Sequence, residues 1–188
     1  MKKQPERTNA TRSMFVDAFI ELNKHKGVEK ITIQKLADKA GYNRATFYEY
    51  FDDIYGLIAY MEDAIIAYIK QEVVNRIGNL PVEDLFVKLF TDMYQEHQKY
   101  LRILFDEGNY ARFSQKLKTV LVQEFSAKMQ LVNRDKKMEY MLDFYLSGMI
   151  SVVAKWFTSE QDMSVEEFAT LVRTIVDKIG MLFIIENT

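Results

Sequence analysis

Apolar residues recur along this chain at three- and four-residue intervals almost from end to end. Met14, Phe15, Ala18, Phe19 and Leu22 form one stripe, and Ile33, Leu36, Ala37 and Ala40 form a second. Spacing of i, i+3, i+4, i+7 is one face of an α-helix, and no stretch alternates as a half-buried strand would. The pattern predicts an all-α fold of about nine helices. They fall near 8–26, 33–40, 44–51, 52–77, 82–97, 99–107, 110–131, 135–157 and 165–185. Helix-ending and helix-starting residues sit between the stripes. Gly27 stops the first helix. Thr32 is placed to N-cap the second, although Lys35 leaves the reciprocal half of a capping box missing. Gly41 suits the left-handed C-cap, and Asn43 can cap the third helix, opened by Arg44. Asp52 and Asp53 put acid at the positive end of the fourth, Gly78 and Asn79 end it, and Pro81 precedes the next. Ser164 with Glu167 reads as a complete capping box for the last helix.

Residues 8–51 can therefore close into a three-helix unit. Its second and third helices, joined at Gly41, have the helix-turn-helix form that sets a recognition helix in the DNA major groove. The outward face of the third offers Arg44, Thr46, Tyr48, Glu49 and Tyr50, while Phe47 and Phe51 point inward. Arginine can bond guanine O6 and N7, and hydroxyls can reach phosphates. Thr32 and Gln34 are placed to face DNA from the preceding helix, and Asn43 stays near the backbone. Packing of Tyr48 and Tyr50 into the small core is the competing reading.

The run of Thr32, Ile33, Ala37, Ala40, Gly41, Thr46, Phe47, Tyr48, Tyr50 and Phe51 resembles the DNA-binding signature of the TetR/AcrR family of bacterial repressors, its specific portion being AGYNRATFYEYF. The resemblance implies a helix-turn-helix DNA-binding domain over residues 1–51 and an effector-binding and dimerisation domain over 52–188. It carries base and phosphate contacts onto Gln34, Arg44, Ala45, Thr46, Tyr48 and Tyr50, and Thr32, Tyr42 and Asn43 complete the expected DNA-binding set. Two departures stand out. Ile54 occupies the place where many members have a phosphate-binding lysine, and Glu49 puts an acid on the recognition helix. They motivate an alternative, a TetR-like co-regulator that acts through protein–protein contact without touching DNA.

Net charge is −2, which alone argues against nucleic acid, but its distribution is uneven. Residues 1–50 hold ten Lys/Arg and six Asp/Glu, a balance of +4, and the remainder is acidic. A basic N-terminal segment before an acidic body is the asymmetry expected when only the first part meets phosphates. The polar start MKKQPERTNATR shows no apolar signal segment, and apolar runs such as Met181–Ile185 are too short for a bilayer. The expectation is a cytoplasmic protein with no membrane partner.

The second part is too large to be a spacer. It is dense in aromatics, and the chain has ten Met, a composition suited to an adaptable apolar cavity between helices. Ordinary core packing competes for any one aromatic, and the resemblance favours a pocket lined by the fourth to eighth helices. The expected ligand contacts are Tyr60, Ala64, Tyr68, Phe86, Phe90, Tyr94, Leu104, Phe113, Leu117, Tyr145 and Met149. The effector is a small molecule that the sequence does not name, with a neutral or mostly apolar compound favoured. The last two helices resemble the family's dimerisation element. Phe144, Gly148, Ser151 and Lys155 recur near helical spacing in one, and Phe168, Leu171, Val172, Ile175, Ile179 and Leu182 give the other more than one apolar stripe. Paired twofold, they would form a four-helix bundle, so a homodimer would meet a palindromic double-stranded operator.

Enzyme chemistry finds little purchase. The chain has no Cys and only His25 and His97, so thiolate nucleophiles and HExxH metal sites are excluded. No two glycines lie closer than Gly27 and Gly41, which removes phosphate-cradling glycine loops. No cofactor and no metal are expected. The favoured function is a ligand-responsive transcriptional regulator, a repressor in the usual case, released from its operator by effector.

Overall fold

The computed structural model describes residues 5–26, 28–128, 136–159 and 162–185; the side chains of 5–7, 25, 26, 128, 138 and 179–185 lie outside the described set. Among these residues there are eight α-helices and one short 3₁₀ segment, Val28–Lys30. The helices are α1 (Pro5–Lys26), α2 (Ile33–Ala40), α3 (Arg44–Tyr48), α4 (Ile54–Arg76), α5 (Val82–Leu104), α6 (Glu107–Lys128), α7 (Lys136–Thr158) and α8 (Val165–Ile185). No helix among the described residues is long and apolar enough to cross a membrane. Two compact units, residues 1–63 and 64–188, divide within α4, twelve residues beyond the boundary expected at 51.

In the first unit α1 packs on α2 and α2 on α3. Phe15 is the hub: its ring meets Phe47 edge-on at 5.3 Å and Phe51 at 6.3 Å. The buried face of α1 is Phe15, Val16, Phe19 and Ile20, with Ala18 beside it, so the stripe is turned from the expected one and Met14 is exposed. Leu36, Ala37 and Ala40 of α2 close the core against it.

In the second unit α5 packs on α8 and α6 on α7, while α5 also touches α6 and α7. Trp156 stacks on Phe168 at 5.0 Å and meets Phe90 edge-on at 5.4 Å, so aromatic rings from α5, α7 and α8 share one cluster. Its indole N–H donates to the Met163 carbonyl at 3.2 Å, tying the turn before α8 to α7. Arg76, at the end of α4, pairs with Glu72 on its own helix and with Asp92 of α5 at 2.8 Å.

Two expected helices, 82–97 and 99–107, are one. α5 runs unbroken to Leu104, and the chain reverses at Phe105–Asp106 instead of at 107–109. The buried Asn109 braces the reversal: its side-chain amide donates to the Ile103 carbonyl at 3.0 Å, which also accepts the Asp106 N–H at 3.3 Å. Gly108 lies inside the first turn of α6 and is not among the positive-φ glycines, Gly41 and Gly78.

Candidate functional site

The helix-turn-helix is built by local capping. Thr32 has extended backbone, and its hydroxyl accepts the Lys35 N–H at 3.3 Å. At the other end Gly41 has φ of 76°; its N–H donates to Asp38 and that of Tyr42 to Ala37, at 3.2 and 2.9 Å. Those two bonds make a complete Schellman closure, which needs a left-handed residue at Gly41. Two residues later Asn43 starts α3, its Oδ1 accepting the Thr46 N–H at 2.8 Å.

Capping also restricts what the side chains of α3 can offer. The Thr46 hydroxyl donates to Asn43 Oδ1 at 3.1 Å, so it remains as an acceptor. Arg44 lies along α3 with its guanidinium 5.4 Å from the Tyr48 ring centre, donating to the Tyr48 hydroxyl at 3.0 Å. As the phenol oxygen accepts there, its own proton is left to point outward. Tyr48 is 44% exposed, and Arg44, Ala45 and Asn43 are exposed with it. Gln34 is exposed, its amide held by Asp38 at 2.7 Å. Lys30, Lys35 and Lys39 add exposed positive charge nearby in sequence.

Tyr42 and Tyr50 stand differently. Both are half-buried: Tyr42 lies 5.3 Å from the Phe15 ring, and Tyr50 lies 6.5 Å from it with the Arg12 guanidinium 5.9 Å above. For Tyr50 the core-packing reading therefore holds in part. At the head of α4, the Asp53 carboxylate accepts the Gly56 N–H at 2.7 Å, so this acid serves as a cap beside the half-buried Ile54.

The second unit contains an apolar cavity of about 60 Å³, on a measure where one water needs about 10–15 Å³. α5 contributes Phe86, Leu89, Phe90 and Met93, and α7 contributes Leu146, Met149, Ile150 and Val153. Leu117 and Leu121 of α6, Ile69 of α4, Phe105 and Val172 complete it. Of the expected contacts, Phe86, Phe90, Leu117 and Met149 are in this lining. The other seven are not part of that lining, although Tyr145 and Phe113 each pack on a residue of it. Tyr60 belongs to the first unit, 5.7 Å from Phe51 and beneath Arg12, and Ala64 is exposed. Tyr68 stands edge-on to His97 at 4.7 Å, and Tyr94 packs on Trp156. Leu104 is buried, Phe113 packs against Phe105, and Tyr145 stands edge-on to Phe86. Burial raises the Tyr145 hydroxyl well above its ordinary pKa, helped by Glu83. Burial also lowers the His97 imidazole, against the opposing pull of Glu96.

The residues missed were readable in kind. Positions 86, 89, 90 and 93, and again 146, 149, 150 and 153, keep the i, i+3, i+4, i+7 spacing of one helix face. The expected set took Phe86, Phe90 and Met149 from those faces and passed over Leu89, Met93, Leu146, Ile150 and Val153.

The expected dimer residues divide as well. Phe144 is 73% exposed, and Gly148, Ser151 and Lys155 are exposed on the same helix, four, seven and eleven residues along. Leu171 is exposed and Ile175 half-buried on α8. Phe168 and Val172 are instead core residues of the chain itself, the first in the Trp156 cluster and the second on the cavity wall. The side chains of Ile179 and Leu182 lie outside the described residues. Among the described residues, no group of three His, Asp or Glu is placed to hold a metal ion.

The chain is similar in fold to the fatty acid degradation regulator FadR from Bacillus halodurans, with a TM-score of 0.66 at 14% identity, covering 94% of this chain and 96% of that one. A TetR transcriptional regulator from Streptococcus agalactiae 2603V gives 0.61 at 20% identity, covering 91% and 96%. The Thermus thermophilus FadR repressor, solved in complex with lauroyl-CoA, gives 0.58 at 17%, covering 89% and 92%. No curated protein sequence matches the chain. Residues 15–61 match the family model for bacterial regulatory proteins of the tetR family, and residues 82–178 match that for a transcriptional regulator C-terminal region. The two models take in the helix-turn-helix and most of the second unit, and on them the chain belongs to the TetR family of transcriptional regulators.

Proposed function

We propose that this chain binds a palindromic duplex operator as a homodimer through α2 and α3, and that a small apolar effector in the second unit releases it. The output is repression. The observation that carries the reading is the exposed Arg44–Tyr48 pair on a helix fixed at its start by Asn43. Both side chains are exposed, while Phe15, Phe19, Phe47 and Phe51 of the same unit are packed inward. Arginine there suits guanine, the tyrosine hydroxyl suits a phosphate, and the surrounding lysines supply the salt-dependent part of affinity.

The cavity supports the effector half of the reading. Its lining is hydrocarbon and aromatic, apart from the Met thioethers, so a ligand there gains by leaving water and needs no buried polar partner. The lauroyl-CoA of the Thermus thermophilus protein also carries an apolar chain. Ile69 brings α4 to the cavity wall. An effector that favours a displaced α4 would shift the population toward a dimer whose recognition helices no longer match the operator, provided it binds the two states unequally.

Titration of fluorescent duplexes from the gene's own neighbourhood tests this. One duplex is expected to bind better than random sequence at moderate salt, with affinity falling as salt rises. Should none do so, the operator reading is wrong and a co-regulator acting through protein contact takes its place.

A further inference from the structure

A second, polar cleft of about 100 Å³ adjoins the apolar cavity, lined by Tyr110, Ser114, Gln115, Lys118, Ser147 and Ile150. Ile150 lines both chambers, and at the boundary Leu117 and Leu146 face the apolar side while their neighbours Lys118 and Ser147 face the polar one. The α6–α7 seam therefore changes from hydrocarbon to hydrogen-bonding groups across one side chain. We propose that the effector is a fatty carboxylate, its tail in the apolar cavity and its anionic head in the cleft at Lys118, Ser147 and Tyr110.

The head site has the right donors. Lys118 is mostly buried, and its ammonium lies 2.8 Å from Asp143 and 3.4 Å from the Ser147 hydroxyl oxygen. An ammonium has three N–H donors, so a third remains for a ligand oxygen among the described partners. Ser147 accepts from Lys118, which leaves its own proton to donate, as can the Tyr110 phenol. Asp143 opposes an incoming anion, but it is 57% exposed, and a solvated carboxylate can swing aside. Ser114 contributes less, because its hydroxyl donates to the Ala111 carbonyl at 3.2 Å. The tail site is the cavity already described, and the proposal rests on reading that cavity as the effector site.

The chain carries its own reporter. Its single Trp, Trp156, meets Phe90 of the cavity wall edge-on. Decanoate and 1-decanol, which share a tail and differ in head charge, are titrated against the full chain by Trp156 fluorescence, with calorimetry as a check. Decanoate is expected to bind at least roughly tenfold more tightly at low salt, since charge-assisted bonds are about twice as strong as neutral ones. The preference shrinks as salt rises. Lys118→Met is expected to abolish it, Ser147→Ala to weaken decanoate alone, and Leu117→Phe, which fills the cavity, to weaken both ligands. Circular dichroism melts confirm that each variant is folded. Equal binding of the two compounds, or a preference that survives Lys118→Met, overturns the head site and leaves the cavity reading standing. If neither compound binds, the cavity reading falls, and this inference falls with it.

Discussion

Arg44 and Tyr48 are joined by a hydrogen bond four residues apart, and that pairing sets what the recognition surface can present. With its guanidinium along the tyrosine, Arg44 is held in a narrow range of directions before DNA arrives, which reduces the ordering cost of binding. Arg44→Ala is expected to weaken the best operator by about 1–3 kcal/mol, roughly fivefold to 150-fold, if the guanidinium reads a guanine. Random duplex should lose less. Anisotropy titrations of the two duplexes side by side check this, and an equal loss on both would make Arg44 a phosphate contact. Glu49, also exposed, stands beside the pair and limits how much positive field α3 can project. Tyr50 is placed differently from Tyr48, its ring half-buried 6.5 Å from Phe15 with the Arg12 guanidinium 5.9 Å away.

At the scale of elements, helix ends govern the geometry. α3 is five residues long, too short to stand alone, so its direction is set by the turn at Gly41 and the cap at Asn43. A Cβ added at Gly41 would meet nothing within 4 Å, so the cost of Gly41→Ala is backbone strain at φ of 76° without a clash. That strain is about 1–2 kcal/mol. Urea unfolding should show the loss, and Gly41→Asn should recover much of it, because Asn tolerates the left-handed region. The N-terminus of α8 gives a pH prediction. Glu167 accepts the Ser164 N–H at 2.8 Å while the Ser164 hydroxyl accepts the Glu167 N–H at 3.2 Å. The bonds from Ser164 hold the Glu167 carboxyl below its usual pKa. A depressed acid stabilises the fold above its unfolded pKa, and that contribution disappears as pH falls through the folded value. Glu167→Ala should therefore lower Tm at neutral pH, and the gap between mutant and native should narrow below the ordinary carboxylate range. Melting curves at pH 7 and pH 3 test it; a gap that stays constant would show that the charge of Glu167 adds nothing to the cap.

At the scale of the whole molecule, the second unit leaves two large aromatic side chains of α7 in water while burying others of the same helix. Tyr145, Leu146, Met149 and Ile150 of α7 are buried, whereas Phe144 is 73% and Tyr140 76% exposed. Gly148 and Ser151, exposed along the same helix, would let a second helix approach closely. The proposed palindromic operator requires a twofold dimer, and this exposed face is the surface we propose for it. Phe144→Glu is expected to convert a dimer to monomer in sedimentation velocity and to lower operator affinity with it. A native chain that sediments as a monomer at micromolar concentration would remove the dimer from the proposal.

The sequence alone determined the helical class, the turn at Gly41, the caps at Thr32, Asn43 and Ser164, and the inward Phe47 and Phe51. These depend on residues within one turn of each other, where backbone geometry and side-chain reach leave few choices. Tertiary structure decided the rest. It rotated the buried face of α1 toward Val16 and Ile20, and it joined two expected helices into α5, whose end Asn109 braces through Ile103. It took Phe168 and Val172 into the chain's own core, and it drew the cavity from Leu, Ile and Val as much as from aromatics. An apolar stripe tells a residue to leave water, but which neighbour covers it, and whether they fill the space between them, depends on helices far apart in the chain.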